Sequence, residues 1–260
     1  MSAHIATVFF NRPEKANALN QDAWKELADV FAKLDQEENT RVIILTGVGK
    51  HFCSGIDLSL LQSITQANIS CTARQSEAIR KQIMILQAAV SAIENCNKPV
   101  LAAISGGCIG AGVDIVSACD MRYASDNAFF CVKEIDMGMV ADLGTLQRLP
   151  RIIAQGIARE LAYTGRNVWA EEAEKIGLIN KMYSTSEILL KEVTQIAQQI
   201  ADKSPISIRG TKHILKYSQD HSVADGLNYI ATWNAAMLVS EDLKESFQAL
   251  QEKRNPQYKN

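Results

Sequence analysis

The sequence lacks the features that mark several large classes of protein. Its 260 residues include only 5 prolines and 14 glycines, and no internal repeat or low-complexity segment is present. No apolar run reaches the roughly 20 residues that a membrane-spanning helix needs. Neither sign of charge is in excess, because 27 lysines and arginines are balanced by 29 aspartates and glutamates. The composition therefore predicts no general attraction to nucleic acid and no membrane insertion.

Patterns of metal-ligating and targeting residues are also missing. The six cysteines form no CxxC pair, and the four histidines have no metal-ligand spacing, so buried thiols in a reducing compartment and no metal site are expected. The N-terminus has no basic segment followed by a long apolar region, and the C-terminal QYKN is not a peroxisomal address. A cytoplasmic enzyme is predicted, with a mitochondrial or peroxisomal location only if a targeting segment is missing from this sequence.

What the sequence does contain is typical of an α/β protein. A hydrophobic content of 47% and a charged content of 22% suit a chain with a large core. The continuous apolar runs at Val42–Thr46 and Val100–Ile104 suit strands buried on both faces, as in a helix-covered parallel sheet. Strands that alternate with helices indicate right-handed crossovers. Since helical patterns dominate after about residue 200, the sequence predicts a core domain at 1–200 and a helical C-terminal region at 201–260.

Hydrophobic periodicity and turn residues predict the remaining elements. Further strands are expected at 5–10, 121–124, 129–132 and 178–183. A helix is expected to begin after Asn20, which can cap it. Other helices are expected at 73–94, 159–163, 170–176, 186–203, 206–217 and 223–253.

The segment 105–150 contains the strongest signal for a ligand. The predicted strand Val100–Ile104 runs into four glycines, at 106, 107, 110 and 112, and then into a helix that begins near Asp114. A helix N-terminus has unsatisfied N–H groups and a partial positive charge. With a second N–H from the loop Ser54–Ile56, two donors could meet at one oxygen and stabilise the enolate of a thioester. A phosphate site and a plain strand-to-helix turn are the alternatives, although no Walker or GxGxxG pattern fits.

Three carboxylates in this segment are candidates for proton transfer. Asp114 lies near the start of the predicted helix, Glu134 follows a predicted strand, and Asp142 lies in a loop without an adjacent charge. Burial would raise the pKa of such groups and allow acid–base chemistry near neutral pH. The alternatives are solvated surface charges, or salt bridges to Lys133 or Arg122.

The chain resembles the crotonase family, the enoyl-CoA hydratase/isomerase superfamily, in four segments: NRPEKANALN, SGIDL, KPVLAAISGGCIGAGVDIVSACD and SEDLKESFQALQEKRNP. The resemblance implies the crotonase (ClpP-like) fold, with repeated ββα units and a helical C-terminal region used for trimerisation. It also implies an acyl-CoA substrate, no cofactor, and a homotrimer or a dimer of trimers. Within the family, residues 112–150 are most similar to the isomerases that convert 3,5-dienoyl-CoA into 2,4-dienoyl-CoA.

The resemblance also assigns roles to individual residues. The acid–base residues would be Asp114, Glu134 and Asp142. The backbone N–H groups of Ile56 and Ala111 would form the oxyanion hole. The substrate-binding residues would be Ser54, Gly55, Ile56, Asp57, Leu58, Gly110 and Ala111. At position 111 the family usually has a glycine.

Three functional hypotheses follow. The first is a dienoyl-CoA isomerase in the β-oxidation of unsaturated fatty acids. The second is an enoyl-CoA hydratase, but hydratases of this family usually have glutamate at the position of Asp114 and lack an aspartate like Asp142. The third is a non-catalytic crotonase-like protein that binds RNA, which would need a basic stripe that the sequence does not offer. The two aspartates favour the isomerase.

Overall fold

The structure is a computed structural model and describes residues 4–65 and 71–260. The strands in this part of the chain are β1 (Ile5–Phe10), β2 (Val42–Gly47), β3 (Val100–Ile104), β4 (Gly107–Ile109), β5 (Met121–Ser125), β6 (Phe129–Cys131), β7 (Val168–Trp169) and β8 (Lys181–Tyr183). Its helices are α1 (Gln21–Gln36), α2 (Leu58–Thr65), α3 (Thr72–Asn95), α4 (Ala111–Ala118), α5 (Thr145–Ile152), α6 (Gln155–Thr164), α7 (Ala170–Lys175), α8 (Ser186–Ala201), α9 (Pro205–Tyr217), α10 (Val223–Met237) and α11 (Glu241–Glu252). Two 3₁₀ helices lie at Pro13–Lys15 and Lys133–Met137.

The strands form two sheets. The larger sheet has the order β1-β2-β3-β5-β8 and is parallel throughout. The smaller sheet has the order β4-β6-β7, with β4 and β6 parallel and β6 and β7 antiparallel. Twice the chain passes from the larger sheet to the smaller sheet and then to a helix, through β3, β4 and α4 and through β5, β6 and α5. These are the repeated ββα units that the resemblance implied.

The larger sheet separates two hydrophobic clusters. Successive side chains of a strand point to opposite faces, and β2 shows this alternation. Ile43 and Leu45 pack into the main core, whereas Val42 and Ile44 pack with Val193 of α8 in the second cluster. Burial of both faces explains why β2 and β3 are apolar at almost every position, and it confirms the prediction of a helix-covered parallel sheet.

Most of the predicted elements are confirmed, and several predictions are wrong in detail. The predicted strand at 178–183 is limited to β8, and the short strands β4 and β7 were not predicted. The single helix predicted at 223–253 is two helices, because the hydroxyl of Ser240 accepts a hydrogen bond from the N–H of Leu243 and begins α11. None of the helices in the described ranges is long and apolar enough to cross a membrane. The division into residues 1–200 and 201–260 stays a prediction.

Candidate active site

Two loops meet where the larger and smaller sheets adjoin. One loop follows β2, and the other connects β4 to α4. They are joined by a parallel bridge between Cys53 and Cys108, in which the N–H of Cys53 donates to Gly107 O at 3.1 Å and the N–H of Ile109 donates to Cys53 O at 2.9 Å. The bridge brings Gly55 against the start of α4. A Cβ atom on Gly55 would lie 3.1 Å from Ile109 O and 3.6 Å from the nitrogen of Ala111.

The first predicted oxyanion donor, the N–H of Ile56, points away from Leu19, the residue that is bridged to it. Leu19 donates to Gly55 O at 2.8 Å, and Asp57 donates to Leu19 O at 2.9 Å. Consecutive N–H groups of extended backbone point in opposite directions. Since the N–H of Asp57 is directed at Leu19, the N–H of Ile56 is directed to the other side.

The second predicted donor, the N–H of Ala111, lies in the first residue of α4, where the helix itself supplies no acceptor. The unusual backbone conformation of the turn falls on Gly110, with φ 54° and ψ −119°, and only glycine adopts it without strain. Ala111 does not have a positive φ. A methyl group at position 111 is therefore compatible with the turn, although the family usually has glycine there.

The predicted substrate-binding residues fall into the same two loops. Ser54, Gly55, Ile56, Asp57 and the exposed Leu58 form the end of one loop and the start of α2, and Gly110 and Ala111 lie at the start of α4. The carboxylate of Asp57 accepts hydrogen bonds from the hydroxyl of Ser59 at 2.7 Å and from the guanidinium of Arg12 at 3.2 Å. The structure brings all seven residues together, and their contact with a substrate stays a prediction.

Asp114 is a buried carboxylate on α4, a helix whose eight residues are all buried. Only 1% of its surface is exposed. Its Oδ1 accepts a hydrogen bond of 2.6 Å from the N–H of Thr145, and its Oδ2 has no partner among the described residues. Burial raises the pKa of Asp114 to about 6, and the backbone hydrogen bond only partly opposes this effect.

Glu134 is half-buried in the 3₁₀ helix that follows β6. Burial and, to a lesser extent, the neighbouring charges of Asp114 and Asp142 together raise its pKa to about 7. Its carboxylate lies beside the turn of α4, since Oε1 would be 3.2 Å from a Cβ atom on Gly110. Its Oε2 is buried and has no partner among the described residues.

Glu134 forms a salt bridge with neither Lys133 nor Arg122, the two alternatives considered from the sequence. Lys133 pairs with Asp136 at 2.5 Å. The guanidinium of Arg122 donates to the carbonyl oxygens of Leu178 and Cys119 at 2.8 Å each. Glu134 is therefore a carboxyl group without a cationic partner in the described part of the chain.

Asp142 lies in the loop between the 3₁₀ helix and α5. Gln87 of α3 donates to its carbonyl oxygen at 2.7 Å, and its neighbours Ala141 and Leu143 are buried. The residue itself is exposed, so a fully buried loop is not what is found. Partial burial of the carboxyl group still raises the pKa of Asp142. Buried neighbours on both sides orient the carboxylate, while its exposure leaves it accessible.

The three carboxylates form one electrostatic group. The charge of Asp142 raises the pKa of Asp114 and of Glu134, and the charge of Asp114 raises that of Glu134. Like charges in a partly buried site disfavour full ionisation. Glu134, whose pKa is about 7, is therefore protonated in a substantial share of molecules near neutral pH. The N–H groups of Ile56 and Ala111 in the two loops have no acceptor among the described residues. The group can both accept and donate a proton near neutral pH.

The residues that support these loops were not predicted from the sequence. The side chain of Asn17 links the loops after β1 and β2. Arg148 of α5 pairs with Glu94 at 2.8 Å and donates to Leu143 O at 3.4 Å, next to Asp142. For Asn17 the sequence offers only its place in NRPEKANALN, one of the segments that resemble the family, because a buried polar side chain has no periodic pattern.

We expect the charge of Asp114 to lower the stability of the fold. Its raised pKa means that the folded state favours the protonated form. The stability that this protonated carboxyl group contributes is complete below about pH 4 and is lost as the pH rises through about 6. Since a tenfold change in proton affinity corresponds to about 1.4 kcal/mol, the loss is about 3 kcal/mol. Asp114→Asn cannot ionise and should not show it.

Urea unfolding of both proteins at about pH 4 and at about pH 8 would measure this difference. The free energy of unfolding of the wild type should fall by about 3 kcal/mol more than that of Asp114→Asn between the two values. The cost of placing an amide at the unpartnered Oδ2 position is the same at both pH values, so it does not affect the change in stability between them. Equal losses in the two proteins would show that the buried charge has no such cost.

The chain is similar to known proteins over its whole length. The model of the family Enoyl-CoA hydratase/isomerase matches residues 1–260. The peroxisomal Δ(3,5)-Δ(2,4)-dienoyl-CoA isomerase of Arabidopsis thaliana is 49% identical over 253 residues, which cover 96% of this chain and 91% of that protein. The mitochondrial Δ(3,5)-Δ(2,4)-dienoyl-CoA isomerase of Homo sapiens is 44% identical, with 96% of this chain and 77% of that protein covered.

The solved structures agree with these relatives in fold. The enoyl-CoA hydratase of Bacillus anthracis has a TM-score of 0.90 and 32% identity, with 99% of this chain and 96% of that chain covered. An enoyl-CoA hydratase of Polaromonas sp. JS666 has a TM-score of 0.89 and 25% identity, with 100% of this chain and 98% of that chain covered. Similarity therefore extends over the whole chain, including the helical region after residue 200.

Proposed function

The chain belongs to the enoyl-CoA hydratase/isomerase family and has its crotonase fold, and on that premise we propose that it is a Δ3,5-Δ2,4-dienoyl-CoA isomerase of unsaturated fatty acid β-oxidation. The observation that carries the proposal is the group of three coupled carboxylates, Asp114, Glu134 and Asp142. Glu134 lies beside the turn before Ala111, and the N–H groups of Ile56 and Ala111 have no acceptor in the described part of the chain. The names of the relatives at 44% to 49% identity support the same activity.

The proposed reaction moves two double bonds by proton transfer alone. A base removes a proton from C2 of the 3,5-dienoyl thioester. The electron pair spreads from C2 to the thioester oxygen and to C6, which gives the conjugated enolate of the dienoyl thioester (here called the dienolate). An acid then protonates C6, which leaves double bonds at C2 and C4. One proton is lost and one is gained, so no oxidant or reductant takes part and we propose that no cofactor is needed.

The resemblance to the family supports a division of roles among these residues. Donors at Ile56 and Ala111 would bind the thioester oxygen and stabilise its charge in the dienolate. Asp142, the exposed carboxylate, would take the proton near the thioester carbonyl. Glu134, whose pKa is raised to about 7, would be protonated often enough to deliver a proton at the far end. Asp114 would keep the proton affinity of Glu134 high.

We propose that the protein assembles as a homotrimer or a dimer of trimers. The support is the apolar surface of the last three helices, where Leu215, Leu227, Phe247 and Leu250 are each at least 60% exposed. Apolar patches of this kind are typical of surfaces covered by a partner. The two relatives described above are named peroxisomal and mitochondrial, and a cytoplasmic location for this chain stays a prediction.

A direct test supplies the purified protein with 3,5-dienoyl-CoA and follows the absorbance of the conjugated 2,4-dienoyl product. Isomerisation is expected, with little hydration of a 2-enoyl-CoA in a parallel assay. Asp142→Asn should lower kcat for isomerisation by about 10²–10⁴-fold, the usual contribution of a general base. Asp220→Asn is the matched control. Asp220 lies in the C-terminal region outside the predicted site, and its exposed carboxylate pairs with Arg151.

Two outcomes would count against the proposal. Hydration that exceeds isomerisation in the wild type would favour the second hypothesis, which is also what the solved structures are named for. Isomerisation that survives Asp142→Asn unchanged would remove Asp142 from the reaction.

A further inference from the structure

Asn17 is an unusual residue in the loop between β1 and α1. Only 1% of its surface is exposed, although its side chain is a polar amide. Its backbone is left-handed, with φ 57°, a conformation that asparagine tolerates better than most residues. A buried polar side chain is retained only when its hydrogen bonds are satisfied.

The side chain of Asn17 connects two loops that are distant in the sequence. Its Oδ1 accepts a hydrogen bond of 2.8 Å from the N–H of Arg12, in its own loop. Its Nδ2 donates to Val48 O at 3.0 Å and to His51 O at 2.7 Å, both in the loop after β2. Both amide hydrogens are therefore used to hold the second loop against the first.

The linked loop is the one that carries Ile56. The residues that flank Asn17 continue the contact, since the N–H of Ser54 donates to Ala16 O at 3.0 Å and the N–H of Leu19 donates to Gly55 O at 2.8 Å. Residues on both sides of Asn17 thus contact residues immediately before Ile56. The direction of the Ile56 N–H depends on the loop that Asn17 holds.

His51 extends the connection to the other predicted donor. Its carbonyl oxygen accepts from Asn17, and its Nδ1 accepts a hydrogen bond of 3.0 Å from the N–H of Gly107. Gly107 begins β4, the strand that leads into Ala111. Asn17 therefore lies at one end of a hydrogen-bonded path that reaches both sides of the predicted oxyanion hole.

We propose that Asn17 is a positioning residue for the reaction, which sets the direction of the Ile56 N–H and so the polarisation of the thioester carbonyl. The inference rests on the proposed function, because it assumes that a thioester oxygen is bound between Ile56 and Ala111. Small displacements of such a donor are costly, since a misplacement of about 1 Å can lower a rate by about 10²-fold.

The alternative is that Asn17 only stabilises the fold, and the same loop offers a matched control. Asn20 caps α1, with its Oδ1 accepting a hydrogen bond of 3.0 Å from the N–H of Ala23. Loss of such a cap lowers the stability of a protein. Asn20→Ala should therefore destabilise the protein without redirecting the Ile56 N–H.

The experiment uses two substitutions at position 17. Asn17→Asp keeps the shape and the acceptor for the N–H of Arg12, but it replaces the donor to Val48 O and His51 O with an oxygen. Asn17→Gly keeps the left-handed backbone and removes every side-chain hydrogen bond. Asn17→Asp would disturb folding through a buried charge, and Asn17→Gly would disturb it through a cavity. Either variant that folds is enough to distinguish a positioning role from a purely structural one.

Two readouts separate positioning from stability. The first is the red shift in the absorbance of 2,4-dienoyl-CoA on binding, which reports polarisation of its carbonyl by the oxyanion donors. The second is the steady-state rate with 3,5-dienoyl-CoA. Both Asn17 variants should show a smaller red shift and a kcat lowered by about 10–100-fold, with a lesser change in KM. Asn20→Ala should keep the wild-type shift and kcat at a temperature where it is folded.

The outcomes distinguish this inference from the proposed function. A wild type that shifts the spectrum but does not isomerise would refute the isomerase activity, and a smaller shift in the Asn17 variants would still support the positioning role. A wild-type shift and kcat in a folded Asn17 variant would overturn the inference. So would a wild type that leaves the spectrum unchanged, because there would be no polarising site for Asn17 to position.

Discussion

Glu134→Gln should lower kcat for dienoyl-CoA isomerisation by about 10²–10⁴-fold, the contribution typical of a general acid. Glutamine has nearly the shape of glutamic acid and would still fit beside Gly110, but it cannot deliver a proton to C6. The dienolate would then have to take its proton from water. Stopped-flow and steady-state assays of product absorbance would measure the loss.

The pH profile of the wild type is a second, independent test of Glu134 as the acid. Glu134 must be protonated to act as the acid, and its pKa is raised to about 7. Activity should therefore fall as the pH rises above about 7, and fall again at low pH where Asp142 becomes protonated and cannot act as the base. The residual activity of Glu134→Gln should lack the decline above neutral pH.

The matched control for this substitution is Glu38→Gln, because Glu38 is exposed in the segment between α1 and β2. It should leave both kcat and the pH profile unchanged. If Glu134→Gln kept wild-type activity or kept the alkaline decline, another group would be the acid, and the raised pKa of Glu134 would be only a consequence of its burial.

Gly55→Ala is expected to have the second large effect. The added methyl group would lie 3.1 Å from Ile109 O and 3.6 Å from the nitrogen of Ala111, so either the loop or the start of α4 would have to move. Loss of one oxyanion donor typically lowers kcat by about 10²–10³-fold. A similar loss is expected here, since a displaced loop or a blocked donor would leave the dienolate oxygen poorly stabilised.

Backbone strain has to be separated from this effect. Gly55 has φ 98°, and a residue with a side chain in such a conformation costs about 1–3 kcal/mol of stability. Gly177→Ala provides the control, because Gly177 also has a positive φ of 78° and the nearest atom to an added methyl group, Ile152 O, is 4.0 Å away. It should lower the melting temperature and leave kcat intact. Equal kcat losses in the two variants would mean that strain alone explains Gly55→Ala.

The larger sheet and its helices were largely predictable from the sequence. The strands β2 and β3 were found because burial on both faces requires unbroken apolar runs, a local property that composition displays directly. The helix α1 was found because Asn20 can cap it and its apolar residues recur at helical spacing. The glycines before α4 indicated a turn between a strand and a helix, and Gly110 forms that turn.

Other elements could not be predicted because their cause is not local. The strands β4 and β7 have three residues and two residues, too few for any alternation to be visible, and they exist because β6 supplies hydrogen bonds on both sides. The break between α10 and α11 depends on one capping hydroxyl, that of Ser240, within a pattern that continues as helix. Short strands and single caps follow from neighbours that periodicity does not show.

For the segment 105–150, the sequence by itself determined the chemical types: a glycine turn before a helix, and three carboxylates that follow it. Only the tertiary structure decided what those groups are close to. Gly55 meets Ala111 because Cys53, in the loop after β2, forms a bridge to Cys108 of β4, and Glu134 reaches Gly110 because β6 lies beside β4. The pKa values of Asp114 and Glu134 depend on exclusion of water and on neighbouring charge, and both are properties of the packed chain.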